Sequence, residues 1–136
     1  MNVTYIHHSS FLVETDRFYY LFDYEKGCLP EMDVEKPIFV LSSHSHADHY
    51  NPEIFELAKH YGNIQFVVSK DVPVKWQILR YEEQGISLSE RVTVVRKNME
   101  YSLSLVNGKV LQIETLKSTD EGVAFLLTYE GKRYYH

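Results

Sequence analysis

Three imidazoles and a carboxylate fall within six residues of the segment Val40-Leu41-Ser42-Ser43-His44-Ser45-His46-Ala47-Asp48-His49-Tyr50. Imidazole nitrogen and carboxylate oxygen are the borderline donors that zinc and similar divalent ions take. His44 and His46 stand two apart on extended backbone at the end of an apolar strand, so both side chains project to one side and can reach one ion. Asp48 and His49 lie on the turn that follows, where sharing that ion would strain the loop. A second ion a few ångströms away is their natural partner. The competing reading is a solvated polar loop whose histidines coincide. Against it, loops that leave the carboxyl end of a strand and open a helix are where α/β proteins place their sites. Cys28 is the single cysteine, so an internal disulfide and a thiolate cage are both excluded. It reads as a reduced, unreactive thiol.

The elements that must position this segment follow from periodicity. Val3 to Ile6, Ser10 to Thr15 and Phe18 to Asp23 are β-type runs, with Asp16-Arg17 as a tight turn between the last two. Residues 25 to 37 carry Gly27, Pro30 and Pro37 and predict an irregular connection into the buried strand Ile38-Phe39-Val40-Leu41. After the histidines, Asn51 suits an N-cap and Pro52 the first helical position, and Ile54, Leu57, Ala58 and Tyr61 follow helical spacing up to Gly62. Strand Ile64 to Val68 comes next, then a helix opening at Pro73 and running to about Glu83, with Gly85 as its terminator. Val92 to Val95, Tyr101 to Val106, Val110 to Leu116, Val123 to Tyr129 and Arg133 to Tyr135 read as consecutive strands, joined by hairpin turns at Asn107-Gly108 and Glu130-Gly131.

Bulk properties narrow the class. A chain of 136 residues with 44% hydrophobic and 24% charged residues predicts a single domain over residues 1–136 with a real core. Aromatics at 14%, mostly in alternating runs such as Phe18-Tyr19-Tyr20-Leu21-Phe22, favour sheet over helical bundle. A net charge of −5 and the lack of any Lys/Arg-rich stretch leave a nucleic-acid backbone no basic track, so nucleic acid is a disfavoured partner. The amino terminus has neither a basic nor an apolar leader region, and no apolar run approaches membrane-spanning length. The expectation is a cytoplasmic protein with a small-molecule substrate and no membrane partner.

His-x-His-x-Asp-His after an apolar strand resembles the signature of the metallo-β-lactamase superfamily. Weaker pieces in the same order support it: Tyr5-Ile6-His7-His8-Ser9-Ser10-Phe11-Leu12-Val13-Glu14, Leu21-Phe22-Asp23, and Gly122-Val123-Ala124-Phe125-Leu126 with Gly131-Lys132. Their order resembles the lactonase-like branch of metal-dependent hydrolases. The resemblance implies an α/β (α+β) metallo-β-lactamase fold, here the N-terminal βα half of a four-layer αββα sandwich, with mostly mixed or antiparallel sheet and two helices. It implies two divalent ions, zinc foremost and manganese or iron as alternatives, with His44 and His46 on the first and Asp48 and His49 on the second. The implied activity is hydrolysis of a lactone, amide or phosphoester by a metal-bound hydroxide that Asp48 helps to aim. His8 matches a histidine that lies near the metals in that branch, and would stand near the leaving group; the small residue expected before it is replaced by His7. Asp23 resembles a buried Asp that braces the ligand loop from outside the coordination sphere, and on the residues alone reads equally as a turn Asp. His60 reads as a surface residue.

Two departures matter. Where the family places a third histidine on the first metal, this sequence has Lys117-Ser118-Thr119-Asp120-Glu121, which makes Asp120 the substitute ligand candidate, with a plain turn Asp as the other reading. The bridging Asp and a final histidine would lie beyond His136, so the chain is expected to be a fragment or a shortened relative that binds metal weakly. Its sheet is expected to show an uncovered apolar face, with self-association as the remedy. The rival functions are a nuclease of the same superfamily acting on phosphodiesters and a non-catalytic metal-binding remnant.

Overall fold

Apolar alternation in the first residues and continuous apolar runs later produce two kinds of strand pairing. The computed structural model describes residues 2–47, 49–104, 110–118 and 122–136. Strands β1 (Asn2–His7), β2 (Ser10–Glu14) and β3 (Tyr19–Phe22) pair antiparallel, and β4 (Ile38–Ser42), β5 (Ile64–Ser69) and β6 (Val92–Val95) extend the same six-stranded sheet in parallel, in sequence order. All five residues of β4 are buried, as expected of a parallel strand covered on both faces. A second, antiparallel sheet takes β7 (Glu100–Ser104), β8 (Val110–Lys117), β9 (Val123–Tyr129) and β10 (Lys132–Tyr135) in the order β10-β9-β8-β7. Glu130 and Gly131 join β9 to β10 with φ of 47° and 80°, the two positive values a type I′ hairpin needs. The Asn107-Gly108 turn lies outside the described residues.

Two apolar layers flank the first sheet. On one face Leu21, Ile38, Val40, Ile64 and Phe66 pack under Ile54, Phe55, Tyr81 and Leu88 from the helical side. On the other, Tyr20, Phe22, Phe39, Leu41 and Val67 meet Leu111, Ile113, Phe125 and Leu127 of the second sheet. The layers therefore run helices, sheet, sheet, and the inner face of the first sheet is covered by the second. The face that carries no helix among the described residues is the outer one of the second sheet. It mixes Gln112, Glu114 and Thr128 with the half-buried Leu116, Ala124 and Leu126 and the exposed Tyr135. No helix among the described residues is long and apolar enough to cross a membrane.

Helix α1 (Lys75–Glu83) forms where expected and ends at Gly85, φ 82°. The earlier helix, Pro52–Lys59, is wound as 3₁₀ rather than α. Its i to i+3 winding eclipses Phe55 with Ala58, and both face the sheet although Phe55 lies off the α-helical apolar stripe. Phe55 is fully buried, 4.7 Å from the Phe66 ring. Asn51 caps the helix by accepting from the Glu53 N–H at 2.9 Å, and its Nδ2 donates to the Glu25 carbonyl at 2.8 Å. Asn51→Ala removes both bonds and is expected to cost about 1 kcal/mol. A urea titration checks it, and an unchanged midpoint would show that the cap contributes nothing.

Candidate metal centre

The site forms where two parallel strands end side by side. β3 pairs with β4 through Phe22 and Leu41, and the next residue, Asp23, donates its N–H to the Leu41 carbonyl at 2.8 Å. Asp23 then turns left-handed, φ 47°, a conformation Asp tolerates better than most residues, and this directs its carboxylate across the end of β4. The side chain is 1% exposed. Its Oδ1 accepts from the Ser43 N–H at 2.7 Å, and its Oδ2 accepts from Ser43 Oγ at 2.6 Å, His49 Nδ1 at 2.9 Å and His136 Nε2 at 2.9 Å. Burial pushes the carboxyl pKa up, but the hydrogen bonds from His136 and His49, the His136 charge and Ser43 outweigh it and hold the group at about 2. An ionised carboxylate only accepts, so each partner must present a proton to it.

That requirement sets the histidine tautomers. His49 must present a proton on Nδ1, so in its neutral form the lone pair lies on Nε2, facing away from Asp23. Ser43 Oγ donates to Asp23, so at 2.7 Å it accepts from His44 Nδ1, and His44 likewise keeps its lone pair on Nε2. Fixing one ring nitrogen so that the other is ready for an ion is how metal-binding histidines are held. His44 is 6% exposed, and its ring lies 4.6 Å from that of His49. Burial first, then the neighbouring His49 and His46, hold its pKa below the usual imidazole value against Asp23 and Asp71. A neutral ring is the form that coordinates.

The second sheet closes the site. Val123 donates its N–H to the Ser43 carbonyl at 2.9 Å, drawing Gly122 against the loop, and Ser118 Oγ lies 3.2 Å from His44 Nε2. His136, at the end of β10, stacks on Phe22 with ring centroids 4.6 Å apart. Ser9, Lys117 and Ser118 join Asp23, His44 and His49 around a cleft of about 390 Å³. Lys117 also lines an adjoining cleft of about 620 Å³ with Lys70, Asp71, Arg96 and Lys97, a gathering of cations that no linear stretch of the sequence displays.

Donor atoms of Asp23, His44 and His49 all lie within 4.8 Å of one another. His46 stands outside that group; it is exposed, and its ring lies beside His44, nearly parallel at 5.9 Å. His44 and His46 thus face the same side, while His49 joins His44 and the buried Asp23. Asp48 and Asp120 lie outside the described residues. His8 groups with His7 and Glu25 instead of the Asp23 cluster. His60 and Cys28 are exposed. Three contributors escaped the sequence reading: Ser43 inside the motif, Ser118, and His136. Ser118 at least lies in the stretch where a ligand was sought, and His136 ends a strand, which is the only local signal it offers.

A family model described as the beta-lactamase superfamily domain matches residues 2–136. No relative among curated protein sequences matches the chain. Among solved structures, a variant of CmlA beta-hydroxylase is 18% identical, with a TM-score of 0.59 over 98% of this chain and 29% of that one. A putative metal-dependent hydrolase from Parabacteroides distasonis is 17% identical, with a TM-score of 0.56 over 98% of this chain and 58% of that one. The short form of human tRNase Z is 14% identical, with a TM-score of 0.56 over 93% and 60%. The chain therefore spans less than two thirds of each of these structures. Two packed sheets with helices on one side, the histidine loop after β4 and the family match together place this chain in the beta-lactamase superfamily domain family, with the metallo-β-lactamase fold.

Proposed function

We propose that this chain carries the ion-holding part of a cytoplasmic metal-dependent hydrolase acting on a lactone, amide or phosphoester. The observation that carries the reading is the pair of imidazoles, His44 and His49, whose tautomers are set by one buried carboxylate within 4.8 Å. These residues fit a divalent ion, with imidazole nitrogens oriented from behind and an anionic brace beneath them. His44 and His46 would hold one such ion, and His49 with Asp48 from the motif a second beside it. When bound, such an ion supplies Lewis-acid polarisation of the scissile oxygen and lowers the pKa of attacking water. The chain's own contribution is positional. Asp23 aims His49 directly and His44 through Ser43, while Lys117 and Ser118 line the cleft where a substrate oxygen would be oriented.

A phosphodiester is the second reading, favoured by Lys70, Arg96, Lys97 and Lys117 around the adjoining cleft. Hydrolysis of lactone and phosphodiester model substrates by the zinc-loaded chain separates the two. Zinc bound without turnover of either class would point to a non-catalytic metal-binding role. His46→Ala is expected to abolish stoichiometric zinc or manganese binding at the Asp23 centre, whereas His60→Ala leaves it intact. Metal content after dialysis measures both, and equal content in the two variants would refute the assignment.

A further inference from the structure

A second set of metal-type donors meets outside the Asp23 cluster, at the turn between β1 and β2. Consecutive residues on a strand point to opposite faces. His7 and His8 nevertheless lie together, with ring centroids 4.1 Å apart and edge to face. Two features bring them there: the pairing of β1 with β2 shifts register between Tyr5 and His7, and His8 adopts a left-handed φ of 49°. That conformation costs a β-carbon-bearing residue about 1 kcal/mol, so something other than local preference holds it. Glu25 completes the group, its Oε2 lying 2.8 Å from His7 Nδ1. Its backbone carbonyl is anchored by Asn51 Nδ2. One donor atom from each of His7, His8 and Glu25 lies within 4.8 Å of the others.

We propose that His7, His8 and Glu25 form an auxiliary site for one divalent ion of the zinc type, separate from the Asp23 centre. Two imidazoles and a carboxylate are a donor set zinc takes, with water in the remaining position. His7 and Glu25 are already in contact and half-buried, and an ion would replace the proton they share, which passes to solvent. His8 is exposed, so rotation of its side chain can close the remaining gap to ligand distance. The donors come from two separate backbone segments. Chelation would therefore cross-link the β1–β2 turn to the segment after β3. Both segments reach the Asp23 cleft: Ser9, next to His8, lines it, and Glu25 follows Asp23 by two residues. An ion held here would stiffen the rim of that cleft without entering it.

The test uses zinc alone, measured by calorimetry and by metal content after dialysis. In the full chain carrying His44→Ala and His46→Ala, one zinc per chain should remain, and adding His7→Ala or Glu25→Gln should weaken it at least tenfold. His8→Gly should weaken zinc to a similar degree while leaving the melting temperature unchanged or raised, because glycine relieves the left-handed strain as it removes the donor. Should the double variant not fold, the same three substitutions in the otherwise unaltered chain should each lower bound zinc by one equivalent. Absence of zinc from a folded double variant, or zinc content unaffected by His7→Ala and Glu25→Gln in either background, would overturn the proposal.

Discussion

Gly122→Ala is expected to destabilise the protein by about 3 kcal/mol or more and to weaken zinc binding at least tenfold. A β-carbon at this position would sit 2.1 Å from the Ser43 carbonyl oxygen and 2.9 Å from Cδ2 of the His44 ring. The carbonyl cannot yield cheaply, because it accepts the Val123 N–H that docks the second sheet on the ligand loop. The backbone there has φ of 100°, which L-residues adopt only under strain. Either the two sheets part locally or His44 leaves its bond to Ser43; both outcomes damage the centre. Urea denaturation and zinc calorimetry report the two effects separately. A variant within about 0.5 kcal/mol of the parent would show that the loop and the second sheet are not in this contact.

Asp23→Asn should be nearly as severe, with a loss of about 2–4 kcal/mol and a fall in zinc affinity of 10–100-fold. An amide offers one acceptor oxygen where the carboxylate serves four donors, and its NH₂ would face donors already aimed inward. The pH dependence supplies a second signature. The Asp23 pKa is about 2 when folded, below its ordinary 3.8. A depressed carboxyl pKa contributes stability that is fully present above about pH 4 and is lost as pH falls through the folded value. In the metal-free protein this amounts to about 2 kcal/mol, which Asp23→Asn should lack. Parallel stability curves for parent and variant between pH 5 and pH 2 would contradict the carboxylate network.

What could be read from the chain follows how locally each feature is encoded. Strands and the histidine motif are local: β4 declares itself by an unbroken apolar run, and the candidate ligands His44, His46, Asp48 and His49 by their spacing. Asp23 sits at the end of such a run, yet its buried state depends on four donors from three residues, Ser43, His49 and His136, on two other segments. Ser118 and His136 carry no pattern, because their place beside His44 and Asp23 arises only when the second sheet docks. The 3₁₀ winding of Pro52–Lys59 was equally hidden, since Phe55 is drawn to the sheet by packing against Phe66, which intrinsic helical spacing cannot show. The grouping of Lys70, Arg96, Lys97 and Lys117 with Asp71 in one cleft was not legible either, because only the fold brings these residues together.

The bond between Asp23 and His136 joins residues 113 positions apart. Closing so long a loop is an entropic cost met before the contact yields anything, and chains dominated by such pairings fold slowly. The parallel pairs around the histidine loop join residues far nearer in sequence, such as Tyr19 with Ile38 and Ile38 with Ile64, so that loop can be in place before the strand that braces it arrives. The affinity of the loop for an ion should therefore rise only in the last stage of refolding, when His136 reaches Asp23. Metal uptake during refolding then acts as a clock for the docking of the two sheets, lagging behind the recovery of β-structure.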